Sequence, residues 1–360
     1  VRVEIGAEDL LQHVVTEIQA FPSEFLLFSP VAVSLTLDDG TTPAREVRLA
    51  VQDDEHILFD GEDISRWRVV HRNVEVTDQR AIADATHLHA RESVPISWAV
   101  PIDGRREEIG RFWAFFPTQT QTHLPGILNA PWKLNSDRNA IIGGEWNALL
   151  MLEASHLVAH VLPSLATQED PARPLDSFPR QLDRKDEDAA PLIESLWTLL
   201  ESAHVIPDTT GALRQARTLW RYPLDAQHLA ISWSQLAKSA SPCPIVHESC
   251  LLRQRGSRLE VLAKRLAANE SEADLPNLRR MDASEWFAIV ALTEPDSAQS
   301  VLKLVESFRA EVISSDWNQV RPRLRIVPTQ AGNLEVPSRV VLAPEGVPVP
   351  NLAPVAGDLL

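Results

Sequence analysis

Glycine is scarce, with 13 in 360 residues, and none sits in a G-x-x-x-x-G-K-[ST], G-x-G-x-x-G or G-x-S-x-G arrangement. The loops that cradle phosphate and the elbow that presents a serine nucleophile are therefore absent as motifs. There is no H-E-x-x-H helix either. Only two cysteines occur, Cys243 and Cys250, too few for the disulfide framework of a small secreted protein. Positive charge is short as well: 34 Lys and Arg against 50 Asp and Glu leave a net charge of −16. A general electrostatic grip on nucleic acid or anionic lipid is not expected from such a balance. No run approaches the roughly 18 uninterrupted apolar residues of a membrane span, and the N-terminus lacks a basic-then-apolar leader. The expectation is a cytoplasmic location without a membrane anchor. Because the chain opens on Val1 instead of methionine, it is expected to be a piece of a longer polypeptide whose other part holds the chemistry.

What is present is core material. A hydrophobic content of 44%, ten tryptophans and this length suit two domains and exclude wholesale disorder. The spacing of Leu10, Leu11, Val14, Val15 and Ile18 predicts a helix from Glu8 to about Ala20, closed by Pro22. Alternating runs at 31–37, 47–51, 57–59 and 67–76 predict a strand meander, interrupted by a short helix at 78–88 and resumed at 96–100 and 110–116. The polar run Thr118 to Thr122 reads as an exposed loop. A helix over 146–162 then seals an α+β sandwich, one sheet with helices on a single face.

From Thr167 to Pro191 there are seven acidic residues, four basic and four prolines, which read as a linker or surface excursion and a candidate hinge. Beyond it a segment recurs: Val205-Ile206-Pro207-Asp208-Thr209-Thr210-Gly211-Ala212-Leu213 matches Ile326-Val327-Pro328-Thr329-Gln330-Ala331-Gly332-Asn333-Leu334 in register, and Pro223 and Pro344 follow at the same distance. Each copy trails an amphipathic helix, 192–200 or 301–312, so a helix-then-hairpin unit used twice is expected. The expected domains are 1–165, a linker at 166–191, a mixed helix-hairpin domain at 192–345 and an extended tail at 346–360.

Candidate metal ligands are thin. Cys243, His247 and Cys250, with His228 as a fourth, offer soft donors at a spacing that matches no standard finger, and packed thiols with a surface histidine account for them better. Glu153, His156 and His160 share a helix face that reads as solvated. The segment Asn129 to Asn139 differs: it packs Lys133, Arg138, Asp137 and three asparagines into eleven residues, and Lys133 is the only lysine among the first 184. Lys133 could present a point charge and Arg138 a planar fork to a phosphate. The alternative is a local Asp137–Arg138 ion pair with Asn139 as a turn residue.

The run Arg111-Phe112-Trp113-Ala114-Phe115-Phe116-Pro117, then Leu124-Pro125-Gly126, Asn129-Ala130-Pro131-Trp132-Lys133-Leu134, Asp137-Arg138 and Trp146-Asn147-x-Leu149-Leu150, resembles the region that follows the nucleotide-binding domain in sacsin-like ATPases of the GHKL superfamily. The superfamily's Asn-bearing helix, D-x-G-x-G segment and glycine-rich lid are not in these residues. The resemblance therefore implies a transducer-like domain, followed by the hairpin domain, with ATP and Mg²⁺ held by an upstream nucleotide-binding domain. It implies that Lys133 or Arg138 reaches the terminal phosphate as a catalytic contact, with Asn129 beside them as a further nucleotide-binding candidate. It further implies a bacterial, chaperone-like ATPase whose isolated piece is inactive, with a protein partner or client, a possible homodimer, or a place in a defence system. The competing expectation is a non-catalytic interaction scaffold whose second half carries an exposed apolar patch.

Overall fold

The computed structural model describes residues 8–40, 42–86, 93–102, 110–180, 187–237, 244–252, 254–268, 276–290, 295–313, 317–318, 321–331, 334–341 and 353–354. The fold is α+β, and the chain divides into two compact units, 1–162 with 176–199 and 163–175 with 200–360.

In the first unit the strands are β1 (Ser34–Leu37), β2 (Arg45–Gln52), β3 (Glu55–Asp60), β4 (Asp63–Glu75), β5 (Ser93–Pro101), β6 (Arg111–Ala114), β7 (Phe116–Gln121) and β8 (Ile127–Asn129). They form one sheet in the order β1-β2-β3-β4-β5-β8-β6-β7, antiparallel except for the parallel pair β6 and β8. Two-residue turns set the meander's register. Asp53 and Asp54 both take positive φ between β2 and β3, and Gly61 does so at the first position between β3 and β4. Helix α1 (Glu8–Gln19) stands where its periodicity predicts it, α2 (Gln79–Ala85) is capped by the Asp78 carboxylate on the backbone N–H of Arg80 and Ala81, and α3 (Glu145–Val161) follows β8.

The strand period assigns the two faces. Arg72 pairs across from Ile96 and reaches Glu153 of α3 at 2.9 Å, so even-numbered positions of β4 and β5 face the helices. Odd-numbered positions face the other way. There Trp67 and Ala99 join Val47, Leu58 and Ile127 under the 3₁₀ turn Ser23–Phe28, whose Leu26 and Leu27 are buried. The span Glu145–Leu165 has the length and apolarity to cross a membrane, yet half of its apolar 18-residue window is buried inside the protein.

The Thr118–Thr122 run is an edge strand, not an exposed loop: Thr118 and Thr122 are only 2% and 1% exposed. Their hydroxyls donate to the carbonyls of Phe112 (2.7 Å) and Leu124 (3.1 Å). Polar composition misleads because threonine is a strong strand former whose one polar atom is easily satisfied. The described part of 166–191 is not a solvated linker. Ala172, Leu175 and Phe178 are fully buried, Arg255 holds both oxygens of Asp170 at 2.7 Å, and the 3₁₀ turn Arg173–Ser177 replaces open coil. Within it residue 175 ends one stretch of the second unit and residue 176 begins a stretch of the first, which includes α4 (Ala190–Leu200) nearly to its end.

The second unit contains α5 (Gln227–Leu236), α6 (Arg255–Ala268), α7 (Ala283–Ala288) and α8 (Pro295–Glu311) around an aromatic core. Trp233 stacks on Trp286 at 5.8 Å, with Tyr222 and Phe287 edge-on to Trp286. The duplicated segment is a duplicated structure. Strands β9 (His204–Pro207) and β10 (Leu213–Gln215) pair Pro207 with Leu213 and Ile206 with Arg214; β11 (Val327–Pro328) and β12 (Leu334–Glu335) pair Pro328 with Leu334 and Val327 with Glu335. Both hairpins continue into a 3₁₀ turn at the same offset, Ala216–Thr218 and Pro337–Arg339. Each then makes a parallel pairing with a downstream segment, Trp220 with Ile245 and β13 (Val340–Val341) with β14 (Ala353–Pro354). The repeat is thus longer than its sequence match.

Candidate functional site

The loop after β8 is stitched at both ends. Asn147, buried in the first turn of α3, accepts from the Lys133 backbone N–H at 2.8 Å and donates to the carbonyls of Lys133 (2.7 Å) and Ile142 (2.8 Å). Between them, Asn135 Oδ1 accepts from the N–H groups of Asn139 (3.0 Å) and Ala140 (3.2 Å), closing a local turn.

Lys133 points into this framework. Its ammonium makes a short ion pair with Asp84 at the end of α2 and donates to the Asp84 carbonyl at 2.7 Å. The other Asp84 oxygen accepts from the Trp146 N–H at 3.0 Å, so one carboxylate caps α3 and neutralises Lys133. The hydrogen bond from Lys133, with that from Trp146, holds the Asp84 carboxyl below its ordinary pKa. Gly144 makes the approach possible: its φ is +151°, and a Cβ there would lie 2.4 Å from Asp84 Oδ2.

Arg138 has the opposite placement. It sits at the loop tip with φ +58°, its backbone N–H donates to the Asn135 carbonyl at 3.0 Å, and its side chain is exposed. Asp137 takes a hydrogen bond from Ser136 at 3.1 Å, and among the described residues no Asp137–Arg138 ion pair forms. Asn129, the third candidate, lies apart on β8. Its Oδ1 accepts from the Phe115 N–H at 2.9 Å, holding that bulky residue at φ +68° in the turn between β6 and β7.

Asn129 also borders a cleft of about 800 Å³ between residues 27–33 and the sheet face opposite α3. Side chains of His56, His71, Asn73 and Ser97 converge on it. His71 Nδ1 and Ser97 Oγ are 2.7 Å apart, and His56 Nδ1 is buried with no hydrogen-bond partner. Burial lowers the pKa of His71; it lowers that of His56 too, with His71 adding and Asp54 opposing. Both imidazoles are therefore neutral at pH 7. No carboxylate among the described lining residues stands behind His71, so the pair lacks the third member of a nucleophilic triad and offers hydrogen bonds instead. Around the mouth, Val31, Val33 and Phe115 are 87%, 64% and 52% exposed. Reasoning from sequence missed this site. Its signal was present in the alternating run of β4, where the stripe Trp67, Val69 turns polar at His71 and Asn73.

The expected metal ligands do not assemble: among the described residues no three His, Cys, Asp or Glu side chains form a metal-sized group. Cys243 lies outside the described residues, the Cys250 thiol is buried and its pKa raised by that burial, and Glu153 is paired with Arg72. In the second unit, a smaller cavity of about 300 Å³ beside β9 and β10 includes Asp208, whose carboxylate is engaged by Arg214 at 2.9 Å and by the turn it caps. Burial raises the Asp208 pKa, and the hydrogen bonds from Thr210 and Arg214 outweigh it. Large exposed apolar side chains described there are Leu302 and Ile313; the others lie in the first unit, where the scaffold expectation did not put them.

Comparison of the chain with protein-family models, with curated proteins and with solved structures gives no match.

Proposed function

We propose that this chain is the coupling part of a sacsin-like, cytoplasmic ATPase, with Arg138 as the group that reaches the terminal phosphate of ATP bound by a separate domain. The observation that carries this reading is the division of labour in one loop. Lys133 is neutralised by Asp84 and anchors the loop, whereas Arg138 is held exposed at its tip on a backbone fixed by Asn135 and Asn147. A guanidinium on a fixed stem suits bidentate contact with phosphate better than a lysine already engaged in an ion pair. Among the described residues the loop fits one such contact; magnesium and the remainder of the nucleotide would fall to the other domain. In this reading the protein's client or partner engages the duplicated hairpin unit.

The test is ATP turnover by the full-length protein. Arg138→Ala should lose about 100-fold, the scale for removing one charge-stabilising donor, with an unchanged melting curve. Lys133→Met should lower the melting temperature. Wild-type turnover in folded Arg138→Ala, or no turnover by the full-length protein, overturns the reading.

A further inference from the structure

The cleft has no part in phosphate contact, and its chemistry is distinctive. None of its 19 described lining residues is Asp, Glu, Lys or Arg, in a chain where these make up 23%, a frequency that predicts about four. Its volume of about 800 Å³ lies within the roughly 300–1,000 Å³ of small-molecule sites. Polar capacity is gathered on the floor: the His71–Ser97 pair and Asn73, for which no side-chain hydrogen bond is formed among the described residues, with the His56 ring beside them. The walls and mouth are aliphatic and aromatic, including Leu49, Val51, Val31 and Val33. On this floor His71 and Asn73 of β4 lie opposite Ser97 and Pro95 of β5.

We infer that this cleft is a binding site for an uncharged amphiphilic small molecule. Its hydrogen-bonding head, an alcohol, amide or carbonyl, sits on His71, Asn73 and Ser97, and its apolar body lies against Val31, Val33 and Val51. Charged heads are disfavoured because no charged side chain among the described lining residues compensates a buried charge, and removing one from water is costly.

The neutral dye Nile red, added to the intact chain at pH 8, should brighten and shift to the blue on binding. Decan-1-ol and decanamide should displace it at concentrations at least about tenfold below decanoate or decylammonium. Val33→Arg and Val51→Arg, both at exposed positions that folding tolerates, should each weaken dye binding by about tenfold with unchanged circular dichroism. His71→Leu should keep the dye and lose the preference for decan-1-ol over decane. The inference fails if the dye does not bind, if the two arginine variants bind it as wild type does, or if the charged decyl compounds compete equally. It fails also if only a polypeptide displaces the dye, which would give the cleft to a protein partner.

Discussion

The loop from Lys133 to Ile142 and the cleft floor beneath residues 27–33 are both rich in polar side chains, and they use them in opposite ways. In the loop nearly every donor meets an acceptor of its own neighbourhood: Lys133 with Asp84, Asn147 with two carbonyls and an N–H, Asn135 with the turn it closes. On the floor His56 Nδ1 has no partner, and His71 shares a single hydrogen bond with Ser97. Saturated polar groups build a rigid stem, and spare ones are capacity for something else. Arg138 follows the same logic, the exposed cation on a saturated stem.

The largest effect expected from breaking this contrast is at Asn147. Alanine there strips one backbone N–H and two carbonyls of their partners in a half-buried setting, and Asn147→Ala should destabilise by about 3 kcal/mol in urea denaturation. On the cleft floor Asn73→Ala, which breaks no hydrogen bond of the described structure, should stay within about 0.5 kcal/mol of wild type. Equal losses would show that the two regions are not distinguished by saturation.

The legibility of these regions from sequence follows how far apart their parts lie. The helix over 8–19, the meander and the paired hairpins have local signatures: a helical period, alternation, and a Pro-to-Leu spacing with Gly between. The Lys133 loop was visible as an unusual cluster, but its meaning was not, because Asp84 is 49 residues away and only the packing of α2 beside α3 brings it there. The cleft needed strand register to collect positions from Leu27 to Pro131. The 166–191 stretch misled for a different reason: acidic and proline-rich composition reads as solvated, whereas Asp170 is paired with Arg255 and the few apolar residues are all the core requires.

Acid separates the two regions at different pH. The cleft histidines have lowered pKa values in the folded state, so as pH falls below about 7 the unfolded chain takes up their protons first and stability declines. Asp84 is lowered as well, but for a carboxylate that means stabilisation present above its ordinary pKa near 4 and lost only as pH falls through the folded value. Urea midpoints should therefore fall between pH 7 and about 5 in wild type, with a smaller fall in His71→Leu. Asp84→Asn should leave that window unchanged and flatten the decline below about pH 4. A His71→Leu profile that superimposes on wild type above pH 5 would mean the imidazole is not desolvated as described.

The smallest effect is the most discriminating for Arg138. At φ +58° an arginine is in left-handed backbone that costs an L-residue about 1 kcal/mol, a cost glycine avoids, while glycine gains freedom in the unfolded chain. The two terms oppose, so Arg138→Gly should change stability by no more than about 0.5 kcal/mol. A purely structural loop residue would then be replaceable by glycine with no consequence anywhere. If Arg138 is the presented cation, Arg138→Gly and Arg138→Ala should lose ATP turnover to the same degree in the full-length protein while both melt like wild type, and Arg138→Lys should recover part of it. Turnover preserved in the glycine variant would leave the tip of this loop with no task beyond connecting β8 to α3.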